Sequence, residues 1–388
     1  MPLKNECQTR VQNLQQRLIE ANLDGALFIY PIDIYYFAAT RQNSALWIPA
    51  SGAPMLLVRK SLARAQAEAC VDDIRPFPRS KDFAPLFEGA ERIGMPLDVM
   101  PVQQYRYYEK LLPGRSFVDI SAGYREQRSV KSAWELEKMR ESGRRLCSVF
   151  ARVPEFLHEG MREVDLAAEF EARLRKAGGE GYVRMRAYNQ ELFMGLAVAG
   201  DRAATTGFFD GAVTGPGLSS PSPHGPSATC IAAGEPVLVD YTGVFDGYIV
   251  DMTRMFVCGE LDDQLQHAFE VAIAIQARIQ AELKPGAIAS QLFATALEMA
   301  TEAGLADNFM GVPGENARFV GHGVGLELDE LPVLAQGFDV PLIAGQTIAV
   351  EPKFVFPGKG AIGIENTFAV SEQGGEKITD MPDDLVRI

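Results

Sequence analysis

Two aspartates lie on either side of a hairpin signal in the segment VLVDYTGVFDGYIVDMTRMF. The pair Asp246-Gly247 between two apolar runs is typical of a two-residue β-hairpin turn. Such a turn would pair Phe245 with Tyr248, Thr242 with Asp251 and Asp240 with Thr253. Asp240 and Asp251 then become diagonal neighbours on one face of an apolar ribbon. Like charges repel there, and a metal ion would compensate them. The alternative is that one aspartate caps a turn and the other pairs with Arg254.

A second hairpin with two carboxylates is predicted in TIAVEPKFVFPGKGAIGIENTFAV. Glu351 and Glu365 are 14 residues apart and become cross-strand partners if the turn holds an odd number of residues, such as 357–359. Two ribbons that each bring two carboxylates to one face favour a metal site over two unrelated ion pairs.

The chain has four histidines, and one of them has the surroundings of a metal ligand. His322 lies in Gly321-His-Gly-Val-Gly325, where the glycines let the backbone approach an ion closely. His158 and His267 are predicted to lie at the surface. Neither this stretch nor Thr214-Gly-Pro-Gly217 has the pattern of a phosphate-binding loop, which excludes a nucleotide site.

Together these residues form an oxygen-rich ligand set with one imidazole: Asp240, Asp251, His322, Glu351 and Glu365. Carboxylates that can bridge suit two divalent ions. Hard to borderline ions fit this set better than a lone tetrahedral zinc, so manganese is expected first, with cobalt, zinc or iron as alternatives.

The elements that position these residues fall into two parts. A helix over 7–22, strands over 26–30, 45–48 and 55–58, and a helix over 61–70 predict a first domain of α/β type. Ser132 and Glu135 fit a capping box that opens a helix running to about His158, so the boundary is placed near Gln127. Further helices are predicted over 164–176, 262–283 and 289–303, and strands over 236–245, 248–257, 347–356 and 361–370. The second part is therefore α+β, with a long irregular loop over 211–227 rich in Gly, Pro and Ser.

The composition of the 388 residues excludes several classes of protein. Apolar residues make up 47% and charged residues 23%, which are globular proportions, and no apolar run approaches the roughly 20 residues of a membrane span. A formal charge of -14 disfavours nucleic acid and anionic membrane surfaces as partners. Five scattered cysteines without a CxxC pair predict neither a disulfide framework nor a thiolate zinc site. With no secretory signal at the start, the protein is expected in the cytoplasm.

Three blocks resemble the metal-binding blocks of the pita-bread metallopeptidases, the family of aminopeptidase P, prolidase, methionine aminopeptidase and creatinase: DYTGVFDGYIVDMTRMF, GHGVGLELDELP and VEPKFVFPGKGAIGIENT. The resemblance implies a creatinase/prolidase-like N-terminal domain over 1–126 and a pita-bread catalytic domain over 127–388. It implies that the five residues above are the metal ligands, with Asp251 and Glu365 bridging two ions. In this branch of the family the N-terminal domain often mediates dimers, so a homodimer is expected.

Two catalytic roles also follow from the resemblance. Glu351 would accept a proton from the attacking water, and His224, sixteen residues before Asp240, would contact the substrate or the scissile-bond oxygen. The alternative for His224 is an ordinary loop histidine.

The chain departs from aminopeptidase P and prolidase at two positions. Asp329 stands where a second histidine usually follows His322, and Gly363 stands where an arginine usually precedes Glu365. A carboxylate cannot donate a hydrogen bond unless it is protonated. We therefore expect Asp329 or Lys353 to assist in place of the missing histidine, and Asp329 to hold a proton, to pair with Lys353, Arg184 or Arg186, or to receive a cationic substrate group.

Three functional hypotheses follow. The first is a metal-dependent Xaa-Pro aminopeptidase or Xaa-Pro dipeptidase. The second keeps the fold and metals but hydrolyses a small non-peptide amide or amidine, which Asp329 and Gly363 favour. The third is a metal-free binding protein that has kept the shape alone.

Overall fold

Residues 2–186 and 193–388 are described by a computed structural model of the chain, in which the contacts separate one unit, Met1–Arg128, from another, Ser129–Ile388. Both units combine helices with β-sheets, so the predicted mixture of an α/β part and an α+β part is confirmed.

The elements of the first unit are α1 Pro2–Glu20, β1 Gly25–Phe28, α2 Pro31–Ala38, β2 Ser44–Pro49, β3 Met55–Val58, α3 Leu62–Glu68, β4 Asp73–Pro76, α4 Ser80–Phe83, β5 Arg92–Met95, α5 Val102–Leu111, β6 Ser116–Asp119 and α6 Ser121–Ser129, the last of which ends at the start of the second unit. The strands form a six-stranded mixed sheet in the order β4-β3-β2-β1-β5-β6. The inner strands β1 and β3 are buried along their whole length and carry continuous apolar runs, as expected for a sheet covered on both faces.

The elements of the second unit are α7 Ala133–Phe150, α8 Glu163–Lys176, β7 Gly195–Ala199, β8 Pro236–Phe245, β9 Tyr248–Val257, α9 Asp263–Glu282, α10 Ala289–Glu302, β10 Phe319–Gly323, β11 Glu330–Ala335, β12 Thr347–Val350, β13 Lys353–Phe356, β14 Gly360–Gly363, β15 Asn366–Ser371, β16 Gly374–Lys377 and β17 Val386–Arg387. The strands form a four-stranded sheet in the order β17-β9-β8-β7, a five-stranded sheet in the order β11-β10-β12-β15-β16, and the two-stranded ribbon β13-β14. Helices α7 and α9 contact these sheets, and the apolar core lies between the strands and the helices α9 and α10.

The capping box that opens α7 is confirmed. The Glu135 amide donates to Ser132 Oγ at 3.2 Å, and the Ser132 amide donates to Glu135 Oε2 at 3.1 Å. The helix ends at Phe150 rather than near His158, because Pro154 follows and proline cannot continue the backbone hydrogen bonds of a helix.

The first hairpin, β8–β9, has the predicted register. Asp246 and Gly247 form the turn with φ of 49° and 82°, and Asp240 pairs with Thr253 as Thr242 pairs with Asp251. Positive φ at both turn residues is what a type I′ turn requires.

The second hairpin also keeps one register, but each of its strands is broken in two. Phe356 pairs with Gly360 across a three-residue turn, and Val350 pairs with Asn366 farther along the same ribbon. The continuous strands predicted over 347–356 and 361–370 are therefore wrong at Glu351-Pro352 and at Ile364-Glu365. Pro352 has no backbone N–H to donate to the partner strand. The backbone of Glu365 pairs instead with Thr253 of β9.

Three further features concern the long loop, the lengths of the helices and the cysteines. Residues 211–227 form an irregular loop, as predicted. In the described ranges no helix is long and apolar enough to cross a membrane. All five cysteines are free: Cys7 and Cys258 are buried, whereas Cys230 is exposed.

Candidate metal centre

The five predicted ligands lie on three neighbouring parts of the second unit. Asp240 and Asp251 lie on β8 and β9, His322 lies on β10, and Glu351 and Glu365 lie at the two breaks of the second hairpin. His322 pairs with Ala349 of β12, so β10 lies beside the strand that leads into Glu351. The antiparallel bridge between Thr253 and Glu365 joins the second hairpin to β9.

Three of these residues form a buried cluster suited to a metal ion. Ligand atoms of Asp251, His322 and Glu365 all lie within 4.8 Å of one another. The three residues are 7%, 8% and 1% exposed, so water can screen their charges only weakly.

The His322 ring is oriented with Nε2 toward the carboxylates. Its Nδ1 lies 3.1 Å from the Leu328 carbonyl oxygen and 3.3 Å from Asp329 Oδ1, while Nε2 lies 3.6 Å from Glu351 Oε1 and 4.0 Å from Glu365 Oε1. A proton on Nδ1 satisfies the first pair of contacts and leaves the Nε2 lone pair directed at the cluster, which is the tautomer that a metal ligand needs.

Lys353 enters the same site and carries a positive charge into it. Its Nζ donates to Glu351 Oε2 at 2.6 Å, to Asp240 Oδ2 at 2.9 Å and to Glu365 Oε2 at 3.0 Å. Burial by itself would lower the pKa of Lys353, but the charges of the three carboxylates outweigh burial and raise this pKa well above its usual value. The lysine is therefore charged.

The pKa values of the carboxylates indicate that the charge of one lysine does not compensate the negative charge of the site. Burial, followed by the charges of Glu365 and Asp240, raises the pKa of Asp251 well above its usual value. Burial also raises the pKa of Asp240 and of Glu365, although the Lys353 charge opposes it at both. Burial disfavours a charged His322, yet Asp329, Glu351 and Glu365 outweigh it and raise the histidine pKa. The cluster therefore favours additional positive charge.

One buried oxygen supports the fit of a divalent ion. Glu365 Oε2 accepts hydrogen bonds from Thr253 Oγ1 at 2.9 Å and from Lys353, whereas Glu365 Oε1 is buried without a hydrogen-bond donor among the described residues. A buried carboxylate oxygen without a donor is costly unless a cation binds it. Asp251, His322 and Glu365 thus supply the oxygen and imidazole ligands that manganese, iron, cobalt and zinc accept.

A cavity of about 370 Å³ opens onto this cluster. Asp240, Asp251, His322, Glu351 and Lys353 form one part of its wall. Apolar side chains supply much of the rest, and two further acidic residues contribute as well: Met185, Phe193, Met194, Leu196, Phe209, Val213, Phe319, Leu328, Val333, Asp210 and Asp329. Its size is within the range of small-molecule and peptide sites.

The structure places the two other predicted catalytic residues differently. Asp329 lies beside His322 and lines the cavity, with a side chain that is 42% exposed. His224 stacks on Phe193 with ring centroids 4.4 Å apart, and Phe193 rather than His224 is among the described residues that line the cavity.

Two alternatives raised by the sequence are wrong. Arg254 lies 3.1 Å from Asp383 and donates to the Glu365 carbonyl oxygen, so it is not the partner of Asp251. Lys353 contacts the ligand carboxylates rather than Asp329. Residues 325–329 form a series of bends, and Glu327 within them lies 3.8 Å from Arg186.

Two threonines that no sequence pattern indicates support the ligands. Thr253 donates to Glu365, and the Thr367 hydroxyl both accepts from the Asp251 amide at 2.9 Å and donates to the Asp251 carbonyl oxygen at 3.0 Å. A signal for Lys353 was present, because a residue two positions after Glu351 on an extended segment shares its face.

The sequence matches the profile of metallopeptidase family M24 over residues 137–372 and that of the Creatinase/Prolidase N-terminal domain over residues 10–130. It is 28% identical to Probable dipeptidase PepE of Mycobacterium tuberculosis over 95% of this chain and 92% of the relative. It is 24% identical to Xaa-Pro dipeptidase of Pyrococcus furiosus over 97% of this chain and 99% of the relative.

The solved structure of Xaa-Pro dipeptidase from Bacillus anthracis superposes on the chain with a TM-score of 0.84 at 23% identity, covering 98% of this chain and 100% of that one. X-Pro aminopeptidase from Thermotoga maritima gives a TM-score of 0.81 at 22% identity, covering 97% and 99%. These likenesses confirm the predicted fold class, a creatinase-type N-terminal domain with a pita-bread catalytic domain.

Proposed function

Because the chain belongs to metallopeptidase family M24, we propose that it is a divalent-metal-dependent peptidase that cleaves the bond before proline, as an Xaa-Pro dipeptidase or Xaa-Pro aminopeptidase. The observation that carries this proposal is the buried cluster of Asp251, His322 and Glu365 at the wall of a cavity large enough for a short peptide. The names of the relatives from Pyrococcus furiosus and Bacillus anthracis support the choice of proline peptides as substrates.

Asp251, His322 and Glu365 would hold the ion, and the chain's own residues would divide the remaining tasks. A divalent ion supplies Lewis-acid polarisation of the scissile carbonyl and a water more acidic than bulk water. Glu351, with Oε1 3.6 Å from His322 Nε2, is the carboxylate that we assign to accept a proton from the attacking water. It would later pass the proton toward the leaving nitrogen.

His224 and Asp329 receive different roles in this proposal. We assign His224, stacked on the cavity-lining Phe193, as the donor to the developing oxyanion or the leaving nitrogen. Asp329 contacts His322 Nδ1 at 3.3 Å, so it acts as a positioning residue that holds the imidazole in its ligand tautomer.

The cavity wall also bears on how a substrate would lie. Phe193, Phe209 and Phe319 offer apolar surface to a proline ring, while Asp210 and Asp329 favour a free amino terminus over a free carboxylate. Among the described residues of this wall, Lys353 is the one lysine or arginine, and its ammonium is already engaged by three carboxylates.

A second candidate is hydrolysis of a small cationic amide or amidine. The observation in its favour is the same acidic wall, since Asp210 and Asp329 would bind a cationic group of any small molecule as readily as a peptide amino terminus.

Three further properties belong to the proposal. Manganese is the expected ion, because the ligands are mostly carboxylates. The expected compartment is the cytoplasm, and the expected assembly is a homodimer. Two ions were predicted from the five ligands, but the contacts of Lys353 with three of the carboxylates favour a single ion.

The proposal is tested with a substrate panel. The protein is stripped with a chelator, reloaded separately with Mn²⁺, Co²⁺ and Zn²⁺, and assayed on Xaa-Pro dipeptides, Xaa-Pro-Yaa tripeptides, Xaa-Ala peptides and small cationic amides. We expect cleavage before proline that is lost on stripping and restored by reloading.

Glu365→Gln should abolish this activity, whereas Glu376→Gln, which changes a carboxylate exposed at 47% and paired with Arg140, should leave it intact. Hydrolysis of the amides with no cleavage of any proline peptide would favour the second candidate. Full activity of the stripped protein would refute the metal-dependent mechanism.

A further inference from the structure

The ammonium of Lys353 occupies a position shared by three carboxylates, one from β8 and one from each break of the second hairpin. Its distances to Glu351, Asp240 and Glu365 are 2.6, 2.9 and 3.0 Å, which are those of charge-assisted hydrogen bonds. A lysine ammonium has three N–H donors, and each has one carboxylate partner here. The side chain is 3% exposed, so this is a buried ion pair and not a surface contact.

The backbone opposite the lysine leaves room for this arrangement. Lys353 pairs directly with Gly363 on β14. A Cβ at position 363 would lie 2.6 Å from Lys353 Cγ and 2.7 Å from the Pro352 carbonyl oxygen, closer than Cβ atoms approach non-bonded atoms in proteins. Glycine at this position therefore lets the lysine side chain cross the ribbon and reach the carboxylates.

The predicted ligands are divided between two cation positions. Asp240, Glu351 and one oxygen of Glu365 contact the ammonium, while Asp251, His322 and the other oxygen of Glu365 form the cluster without one. Glu365 joins the two positions, because its Oε2 accepts from Lys353 and its Oε1 has no donor among the residues described.

We infer that the Lys353 ammonium permanently occupies one of the two cation positions, so that the centre binds a single divalent ion, on Asp251, His322 and Glu365. This inference rests on the proposed metal-dependent function and concerns its stoichiometry. One ammonium and one divalent ion leave the four carboxylates with one uncompensated formal charge. A second divalent ion would need the oxygens of Asp240, Glu351 and Glu365 that the ammonium already occupies, so it cannot bind there while the lysine side chain stays in place.

The inference is tested by metal content and spectroscopy instead of turnover. The stripped full-length protein is titrated with Mn²⁺ by calorimetry, dialysed, and analysed for manganese per chain by mass spectrometry. We expect one ion per wild-type chain and two per chain in Lys353→Ala, a twofold change. Electron paramagnetic resonance should give the resolved hyperfine lines of an isolated ion in the wild type and the spectrum of a spin-coupled pair in the variant.

Lys359→Ala is the matched control, because Lys359 belongs to the turn of the same hairpin and pairs with Asp262 at the surface, where its side chain is 40% exposed. It should bind one ion, like the wild type. Two ions in the wild type would overturn the inference, as would a single ion in a folded Lys353→Ala protein. No ion in the wild type would overturn the metal-dependent function as well. If Lys353→Ala does not fold, the wild-type count and its spectrum still decide.

Discussion

Thr253 supports the proposed metal centre through one hydrogen bond that can be removed without a change of shape. Its hydroxyl donates to Glu365 Oε2 at 2.9 Å, and the residue is fully buried. Thr253→Val replaces the hydroxyl by a methyl group of similar size. We expect the variant to bind Mn²⁺ more weakly, because Glu365 loses one of the two donors that hold Oε2 and turn Oε1 toward Asp251 and His322.

The magnitude follows from the kind of bond. A hydrogen bond to a charged group contributes about 1.5–3 kcal/mol, and removal of a group that orients a metal ligand typically costs about 10–100-fold in affinity. Each factor of ten in affinity corresponds to about 1.4 kcal/mol, so a 10–100-fold loss is about 1.4–2.8 kcal/mol and agrees with the energy of the hydrogen bond. Lys353 still donates to the same oxygen, so the lower end, about tenfold, is expected.

Thr347→Val is the matched control for loss of a buried hydroxyl. Thr347 is also fully buried, and its hydroxyl donates to the Val324 carbonyl oxygen at 2.6 Å without contacting a predicted ligand. Both variants should lose a similar free energy of unfolding in urea, about 1–3 kcal/mol. Calorimetric titration of the stripped proteins should show weaker Mn²⁺ binding in Thr253→Val alone. Equal affinities in the two variants would refute the role given to Thr253.

Three further predictions concern charge and burial. Asp251→Asn should weaken Mn²⁺ binding by more than about 100-fold. It should also stabilise the metal-free protein at neutral pH, because burial raises the pKa of the Asp251 carboxyl and its charged form costs stability above the unfolded pKa. Titration calorimetry should show the weaker Mn²⁺ binding, and thermal unfolding in the presence of a chelator should show the higher stability. Weaker binding together with lower stability would contradict the assignment. Asp329→His removes the carboxylate beside His322 Nδ1, but the Leu328 carbonyl oxygen at 3.1 Å still holds that tautomer, so the variant should preserve or raise kcat/KM on proline peptides if the substrate is a peptide. It should damage the native reaction if the substrate is a small cationic molecule, and wild-type rates on every substrate would make Asp329 a bystander. Cys230 is exposed, whereas burial raises the pKa of Cys147 to about 11, so at pH 8 roughly a thousandth of the Cys147 thiol is ionised. Alkylation mapped by mass spectrometry should therefore modify Cys230 first, and faster reaction of Cys147 would be the contrary result.

The parts of the fold that were predictable from the sequence depend on short-range rules. The Asp246-Gly247 turn has a defined geometry, and once it is placed, the register of β8 and β9 follows by counting. The capping box at Ser132 and Glu135 is equally local, and the helix start it predicts is observed. Local rules of this kind were enough to bring Asp240 and Asp251 to one face.

The parts that were not predictable depend on contacts between distant segments. The strands of the second hairpin are interrupted at Pro352 and at Glu365. At Glu365 the backbone pairs with Thr253 of β9 instead of with the other strand of the hairpin. The bends over 325–329 bring Asp329 to within 3.3 Å of His322, and no local pattern in the sequence predicts them. The ion pair of Lys353 with Asp240 was not predictable, because it joins segments 113 residues apart and no pattern within the second hairpin shows that β8 lies against it.

The buried lysine also matters for the order of events in folding. Asp240 and Lys353 are 113 residues apart along the chain, and contacts of such separation form only after a long loop has closed. Four carboxylates must converge during that closure, before a finished site exists to capture an ion, and their repulsion opposes the collapse. Lys353 is tethered to the same chain, so it accompanies the carboxylates at an effective concentration that does not depend on the metal content of the surroundings. Its ammonium can therefore act as an internal counterion during assembly, which makes folding of the catalytic domain independent of when the metal arrives.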